Sequence, residues 1–181
     1  MSNQNMSTYV AITLFVTKVL GSFNYHVGLF ARNIAGGLLA AMLVMILMQV
    51  FFRYVMNDSL TWTEELSKYA MVWVACLVSP WAYRENLNVS IELFADALPL
   101  LLKRLTEILI TLLVMFISAM FFIYSVDFWL SGLTITASSV PVKLAVFYSC
   151  IPFMFVGLFL VGLERLLLQT LPLKAVKPGA V

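Results

Sequence analysis

The segment from Ile34 to Phe52 contains no charged residue, and three further segments of similar length are nearly as apolar. A helix needs about 20 mainly apolar residues to cross the roughly 30 Å hydrocarbon core of a bilayer. These segments therefore predict four membrane-spanning helices, one after another along the chain. The predicted spans cover about residues 34–56, 66–83, 105–126 and 144–163.

The composition supports a membrane protein. Of the 181 residues, 62% are apolar and 11% are charged, whereas an ordinary soluble domain has about 45–50% apolar and about 25% charged residues. A soluble domain of this length could not bury so much hydrocarbon. The net charge of +2 is too small to indicate a nucleic-acid-binding surface. The sequence thus excludes a soluble enzyme and a nucleic-acid binder, and predicts an all-α membrane protein that has the lipid bilayer as a partner.

The basic residues predict the orientation, because they concentrate on the cytoplasmic side of membrane proteins. With four spans, the N-terminus, the second connection and the C-terminus lie on one side, which holds eight of the eleven lysines and arginines; the opposite side holds the other three. We therefore expect both termini in the cytoplasm. The eight are Lys18, Arg32, Arg84, Lys103, Arg104, Arg165, Lys174 and Lys177, and the three are Arg53, Lys68 and Lys143.

Two segments outside the predicted spans have helical amphipathic patterns. Residues 1–33 are expected to form a cytoplasmic N-terminus with a helix that lies along the inner leaflet. A second such helix is expected at about residues 91–105, broken or kinked by Pro99, and residues 164–181 are expected to form a cytoplasmic tail. These helices could hold the protein in position or only order the connections. The apolar stripe of the first consists of Ile12, Phe15, Val16, Val19, Leu20 and Phe23.

The middle of each predicted span lacks ionisable residues, which argues against a proton relay. The single histidine, His26, lies outside the spans. Cys76 and Cys150 have no metal-ligand spacing, so we interpret these two cysteines as small buried residues. Pro152 lies deep in the fourth span and has two interpretations, a kink in the helix or part of a transport site. No P-loop is present. We therefore predict no catalytic, metal-binding, cofactor-binding or substrate-binding residue, no cofactor, and no enzymatic activity.

The richest polar segment connects the first two spans, and we call residues 53–65 the outer corner. Thr61 and Glu64 fit a capping box at the start of the second span, and Glu64 is spaced to pair with Lys68 one turn later. Arg53 could meet one of the carboxylates or extend toward the headgroups. The segment has two interpretations, a capped turn or a surface for assembly with a partner.

The motifs of this segment and of the following connection resemble one family. They resemble the small membrane subunit, of DctQ type, of tripartite ATP-independent periplasmic (TRAP) transporters. The likeness is clearest from the first span to the second connection, and the last two spans match in length and order. The family often has a histidine shortly after the Arg-Glu pair, where this chain has Asn88. The matching residues are Phe52-Arg53-Tyr54, Ser59-Leu60-Thr61-Trp62-Thr63-Glu64-Glu65, Trp73, Arg84-Glu85 and Val89-Ser90-Ile91-Glu92.

The resemblance implies a scaffold role. In this family a much larger membrane subunit carries the substrate and sodium sites, and a periplasmic binding protein delivers an organic acid such as a C4-dicarboxylate or sialic acid. The small subunit would then support the large one during sodium-coupled uptake. The residues with an expected role in assembly are Arg53, Ser59, Trp62, Glu64, Glu65 and Arg84.

Two other functions remain open from the residues alone. One is a membrane anchor for a redox enzyme, against which the single His26 argues, because a haem held within such a bundle usually needs facing histidines. The other is a small transporter that works as a homo-oligomer. The polar connection from Ser131 to Lys143 is expected to face the periplasm, where it could contact a binding protein or serve only for solubility.

Overall fold

The computed structural model describes residues 2–58, 60–85 and 99–170. Helix α1 (Ser2–Phe51) continues into a π-helical turn (Phe52–Met56) and is followed by α2 (Thr61–Arg84), α3 (Leu100–Ser131), α4 (Leu144–Tyr148) and α5 (Cys150–Thr170). Apart from an isolated bridge between Thr136 and Lys143, the described residues form no β-structure. The all-α prediction is confirmed.

Helix α5 lies at the centre of the bundle, in contact with α1, α2, α3 and α4, while α1 runs mainly along α2. Two glycines of α5 permit close approach. A Cβ atom on Gly157 would lie 2.8 Å from Cγ of Pro80 in α2, and one on Gly162 would lie 2.7 Å from Cγ of Met115 in α3. Both distances are shorter than a real Cβ contact, so these glycines let α2 and α3 pack directly against the backbone of α5.

Small and polar side chains fill the contacts between helices, and large apolar side chains point outward. The largest fully buried side chains are Thr63, Thr111, Cys150 and Ser118, whereas Phe153 is 72% exposed. The hydroxyl groups of Thr63 and Thr111 donate to carbonyls of the preceding turn, that of Thr111 to Glu107 at 2.8 Å. Helices in lipid associate through small residues and satisfied polar groups, since lipid solvates large apolar side chains. The packing is therefore that of a membrane protein.

Three helical segments are long and apolar enough to cross a membrane: Ile12–Met56, Leu102–Ser131 and Leu144–Thr170. They contain the predicted first, third and fourth spans. Helix α2 covers the predicted second span but is not among these segments. Its polar residues, among them Ser67, Lys68 and Ser79, reduce its mean hydropathy. The crossing by α2 and the side on which the termini lie therefore remain predictions.

The N-terminal part of α1 has the expected two-sided pattern but is not a separate helix. Phe15 and Val19 are 70% and 56% exposed, while Thr13 and Thr17 face the protein and are buried. The helix has 50 residues, which corresponds to about 75 Å, and shows no break near residue 33. No proline interrupts the segment, so the chain contains no strong signal that would end the helix there.

Prolines mark two other boundaries as expected. Pro99 precedes α3 in an extended conformation, with φ −60° and ψ 149°. Upstream of Pro152, the helix is interrupted at Ser149 between α4 and α5, where the Ser149 hydroxyl donates to the carbonyl of Val146 at 2.7 Å. The kink interpretation of Pro152 is thus supported. The second amphipathic segment and the tail lie largely outside the described residues, as does Asn88; residues 100–105 belong to α3.

Candidate functional site

The backbone of the outer corner differs from the expected capping box. Helix α2 begins at Thr61, its N-cap is Leu60, and no side chain caps this end. The Thr63 hydroxyl instead donates to the carbonyl of Leu60 at 2.7 Å. The prediction that Thr61 is the N-cap is therefore wrong. The helix starts one residue earlier than the motif implies, so Thr61 already has helical geometry and cannot cap the amide three residues on.

Glu64 forms the pair that its spacing predicted. Its carboxylate accepts hydrogen bonds from Lys68 Nζ at 2.8 Å and from Gln49 Nε2 of α1 at 3.3 Å. The bond to Lys68 and the charge of that lysine hold the pKa of Glu64 below its ordinary value, with a smaller contribution from the charge of Arg53. Because this pair is exposed to solvent, it contributes little net stability. It does connect the end of α1 to the start of α2.

Glu65 connects α2 to the loop between α3 and α4. Its carboxylate accepts hydrogen bonds from the backbone N–H groups of Ser138 at 3.0 Å and Ser139 at 2.6 Å, and from the Tyr69 hydroxyl at 2.9 Å. These donors, the Ser138 amide foremost, hold the pKa of Glu65 below its ordinary value. The contact spans more than 70 residues of sequence, so spacing rules could not predict it.

The other expected residues of the outer corner have fewer contacts. Arg53 lies in the π-helical turn and forms no ion pair with any acidic residue that the structure describes. Trp62 is 41% exposed at the start of α2. Ser59 lies outside the described residues. The exposed side chains of Arg53 and Trp62 are available for a partner, and their role in assembly stays a prediction.

At the opposite end of the bundle, a buried group joins α1, α2 and α5. Arg84 contacts Glu164 through two nitrogen atoms, with Nη2–Oε1 at 3.1 Å and Nε–Oε2 at 3.4 Å. Asn24 Nδ2 donates to Glu164 Oε2 at 2.7 Å. The Glu164 side chain is only 8% exposed. We call Asn24, Arg84, Glu164 and Arg165 the inner cluster, and its hydrogen bonds satisfy a carboxylate that would otherwise be costly to bury.

Aromatic rings and a glycine complete the inner cluster. The Arg84 guanidinium lies 5.7 Å from the ring centroid of Tyr25, and that of Arg165 lies 4.5 Å from that of Tyr83. A Cβ atom on Gly21 would lie 2.9 Å from Glu164 Oε1, so the glycine makes room for the carboxylate. Arg84 thus combines ion pairing with contact to an aromatic face, and Arg165 lies on the face of a second ring.

Sequence reasoning included Arg84 but missed Glu164 and Asn24. The predicted fourth span ended at residue 163, whereas α5 continues to Thr170 and carries Glu164 on its buried side. A signal was present, because Arg84-Glu85 and Glu164-Arg165 follow two predicted spans with the same expected direction. Opposite charges at similar depth on neighbouring helices favour pairing.

The polar contacts of the outer corner and of the inner cluster hold parts of the chain together. The carboxylates of Glu64, Glu65 and Glu164 each bond to a group on another helix or loop of this chain. Within residues 2–58, 60–85 and 99–170 there is no group of three histidine, cysteine, aspartate or glutamate side chains that could hold a metal ion. What the arrangement does is join α1, α2, α5 and the loop after α3.

Comparison with known proteins identifies the family. Residues 42–171 match the family model described as "Tripartite ATP-independent periplasmic transporters, DctQ component". Over 62 residues the chain is 36% identical to the Haemophilus influenzae protein named "Putative TRAP transporter small permease protein". The aligned segment covers 34% of this chain and 38% of that protein. The match thus spans about two fifths of the relative's length. No solved structure matches. Since the family model covers most of the chain, including the outer corner, Arg84 and Glu164, this protein belongs to the DctQ family of TRAP transporter components.

Proposed function

We propose that this TRAP transporter small subunit acts as a static scaffold for a large membrane subunit. In this role it supports sodium-coupled, binding-protein-dependent uptake of an organic acid such as a C4-dicarboxylate or sialic acid. The substrate and sodium sites lie on the large subunit, and the small subunit holds that subunit in position in the inner membrane, with both of its own termini in the cytoplasm.

The inner cluster is the observation that carries this proposal. The buried carboxylate of Glu164 is neutralised by Arg84 and bonded by Asn24, so this charge joins three helices of the same chain. A group that took up and released a cation during transport would need room for the ion and a change of partners. Tight intrachain pairing supports a rigid role instead, and rigidity is what a scaffold for a moving subunit requires.

The exposed apolar surface of α1 is a second observation in favour of a partner subunit. Of the 18 most apolar consecutive residues of the candidate span Ile12–Met56, only 6% are buried within this chain. Gly36 and Gly37 have no atom within 4 Å of the position of a Cβ, so this part of α1 is open. Helices in lipid associate closely at small residues, and the large subunit is the proposed neighbour.

Reconstitution tests the scaffold role. Proteoliposomes that contain the large subunit with this chain, supplied with binding protein, substrate and a sodium gradient, are expected to take up substrate. Vesicles without this chain are expected to lose most of that uptake. Full-rate uptake by the large subunit and binding protein alone would refute the proposal.

The outer corner is tested in the same system. We propose that Arg53, Ser59, Trp62, Glu64 and Glu65 contribute to assembly at the periplasmic side, and Arg84 at the other end. Arg53→Ala is expected to lower the amount of large subunit that co-purifies with this chain. Lys18→Ala, which removes an exposed lysine of α1, is the matched control. Equal recovery with both variants would assign Arg53 to the turn alone.

A further inference from the structure

We propose that a groove between α2 and α3 binds one phospholipid molecule, with an acyl chain along its apolar part and the phosphate beside Lys68. The proposal does not depend on the scaffold role. It requires only that these helices lie in a bilayer with the outer corner near one headgroup layer.

The apolar part of the groove has two aromatic stacks as walls. Tyr69 of α2 stacks on Phe147 of α4 with ring centroids 4.1 Å apart, and Phe128 of α3 stacks on Tyr148 of α4 with centroids 4.3 Å apart. The groove has a volume of about 310 Å³, and Ile151 of α5 also lines it. Helix α4 thus links α2 to α3 through its rings and leaves the groove between them.

The groove is continuous with a polar cleft. Lys68 and Tyr69 line both the apolar groove and a neighbouring cleft of about 390 Å³, which is bordered by Glu64, Glu65 and Ser138 among others. Val72, which lines the apolar part, lies one helical turn, or about 6 Å, further along α2 than Lys68. Polar and apolar surfaces therefore follow one another along the helix axis, in the order of the headgroup and acyl chain of a lipid.

Solvation and the order of the two surfaces favour a phospholipid as the occupant. Lys68 is the cation among the residues that line the cleft, beside the carboxylates of Glu64 and Glu65. Its side chain is 71% exposed, so its ammonium group can donate to a phosphate on its solvent-facing side while it remains bonded to Glu64. Water gains little in the apolar groove, because a buried water needs two or more polar partners. Acyl chains are the apolar molecules that surround a membrane helix, and the rings offer them a preformed surface.

Photolabelling of the purified full-length chain in nanodiscs tests the proposal. The probe is a phosphatidylglycerol with a diazirine in one acyl chain, and peptide mass spectrometry locates the labels. We expect labels to concentrate on Val72, Phe128 and Ile151. Val72→Trp, at a position 45% exposed, is expected to reduce labelling of Phe128 and Ile151 about fivefold by filling the groove. Leu109→Trp, at an exposed position of α3 outside the groove, is the control.

A second probe distinguishes the contribution of the phosphate from that of the acyl chain. Lys68→Ala is expected to reduce labelling by the phosphatidylglycerol probe about fivefold and to leave labelling by the corresponding diacylglycerol probe unchanged. Evenly spread labels, or equal labelling of Val72→Trp and Leu109→Trp, would overturn the proposal. Labels that leave the groove when the large subunit is added would also overturn it, because the groove would then receive a protein helix.

Discussion

At the residue scale, the inner cluster shows how a membrane bundle accommodates one buried carboxylate. Glu164 has an opposite charge on α2 and an amide donor on α1, at 3.1 Å and 2.7 Å. Two positive side chains, Arg84 and Arg165, share the same end of the bundle, and aromatic rings cover both of them. The carboxylate of Glu164 therefore has two partners from two other helices, of which Arg84 is the one that neutralises its charge.

The first prediction concerns Arg84. Arg84→Ala leaves Glu164 buried without its cation, and breaking a buried pair in this way costs about 3 kcal/mol or more. The variant is expected to unfold at a clearly lower temperature than the unchanged chain when thermal unfolding is followed in detergent. The exchange Arg84→Glu with Glu164→Arg is expected to recover part of the loss, and Lys18→Ala serves as the control. An unchanged unfolding temperature for Arg84→Ala would contradict a stabilising role for the pair.

The second prediction concerns the pH dependence of the loop that Glu65 holds. The folded chain lowers the pKa of this carboxyl from an ordinary value of 4.5, so its contribution is complete above pH 4.5 and is lost as the pH falls through the lowered pKa. Protection of the Ser138 and Ser139 amides from hydrogen exchange, corrected for intrinsic rates, is expected to stay constant above pH 4.5 and to decrease below it.

The neighbouring glutamate provides the control for this contact. Glu65→Ala is expected to remove the protection of both amides at neutral pH, whereas Glu64→Ala is expected to leave it in place, because Glu64 bonds to Lys68 and Gln49. Equal protection in the two variants would show that the loop is held by other contacts.

At the scale of the elements, the glycines differ in whether another helix packs against them. Gly157→Ala would place a Cβ atom 2.8 Å from Pro80 and force α2 away from α5, whereas Gly36→Ala meets nothing within 4 Å. The first variant is expected to lower the unfolding temperature. The second is expected to raise it slightly, since alanine favours a helix over glycine by about 0.5–1 kcal/mol. The same assay in detergent measures both, and a loss of stability in Gly36→Ala alone would contradict this packing.

The elements also show which local signals were sufficient. Pro99 and Pro152 act through their own backbone, so their effects at the start of α3 and at the α4–α5 junction could be predicted. The capping box at Thr61 was predicted wrongly, because a helix start also depends on the preceding π-helical turn. The predicted fourth span ends at residue 163, before the charges of Glu164 and Arg165, but the helix continues to Thr170 because both side chains have partners within the bundle.

At the scale of the whole molecule, the path of the chain through the membrane can be tested with reporters. Four spans with both termini inside predict that alkaline phosphatase is active when inserted after Asp58 or after Ser139. They also predict that green fluorescent protein is fluorescent at the C-terminus or in a fusion after Glu85. Reporters at Asp58 and Glu85 that indicate the same side would show that α2 does not cross, and three spans would then remain.

The amino-acid sequence by itself determined that this chain lies in a membrane as a set of apolar helices, and its motifs were enough to indicate the DctQ family. Both follow from local properties, namely the apolar length of each segment and the order of side chains along it. Only the tertiary structure decided that Glu65 bonds to the loop after α3 and that Glu164 pairs with Arg84 beside Asn24. The reason is geometric: such contacts depend on which helices are neighbours and at what depth, and distant residues meet only when the bundle has formed.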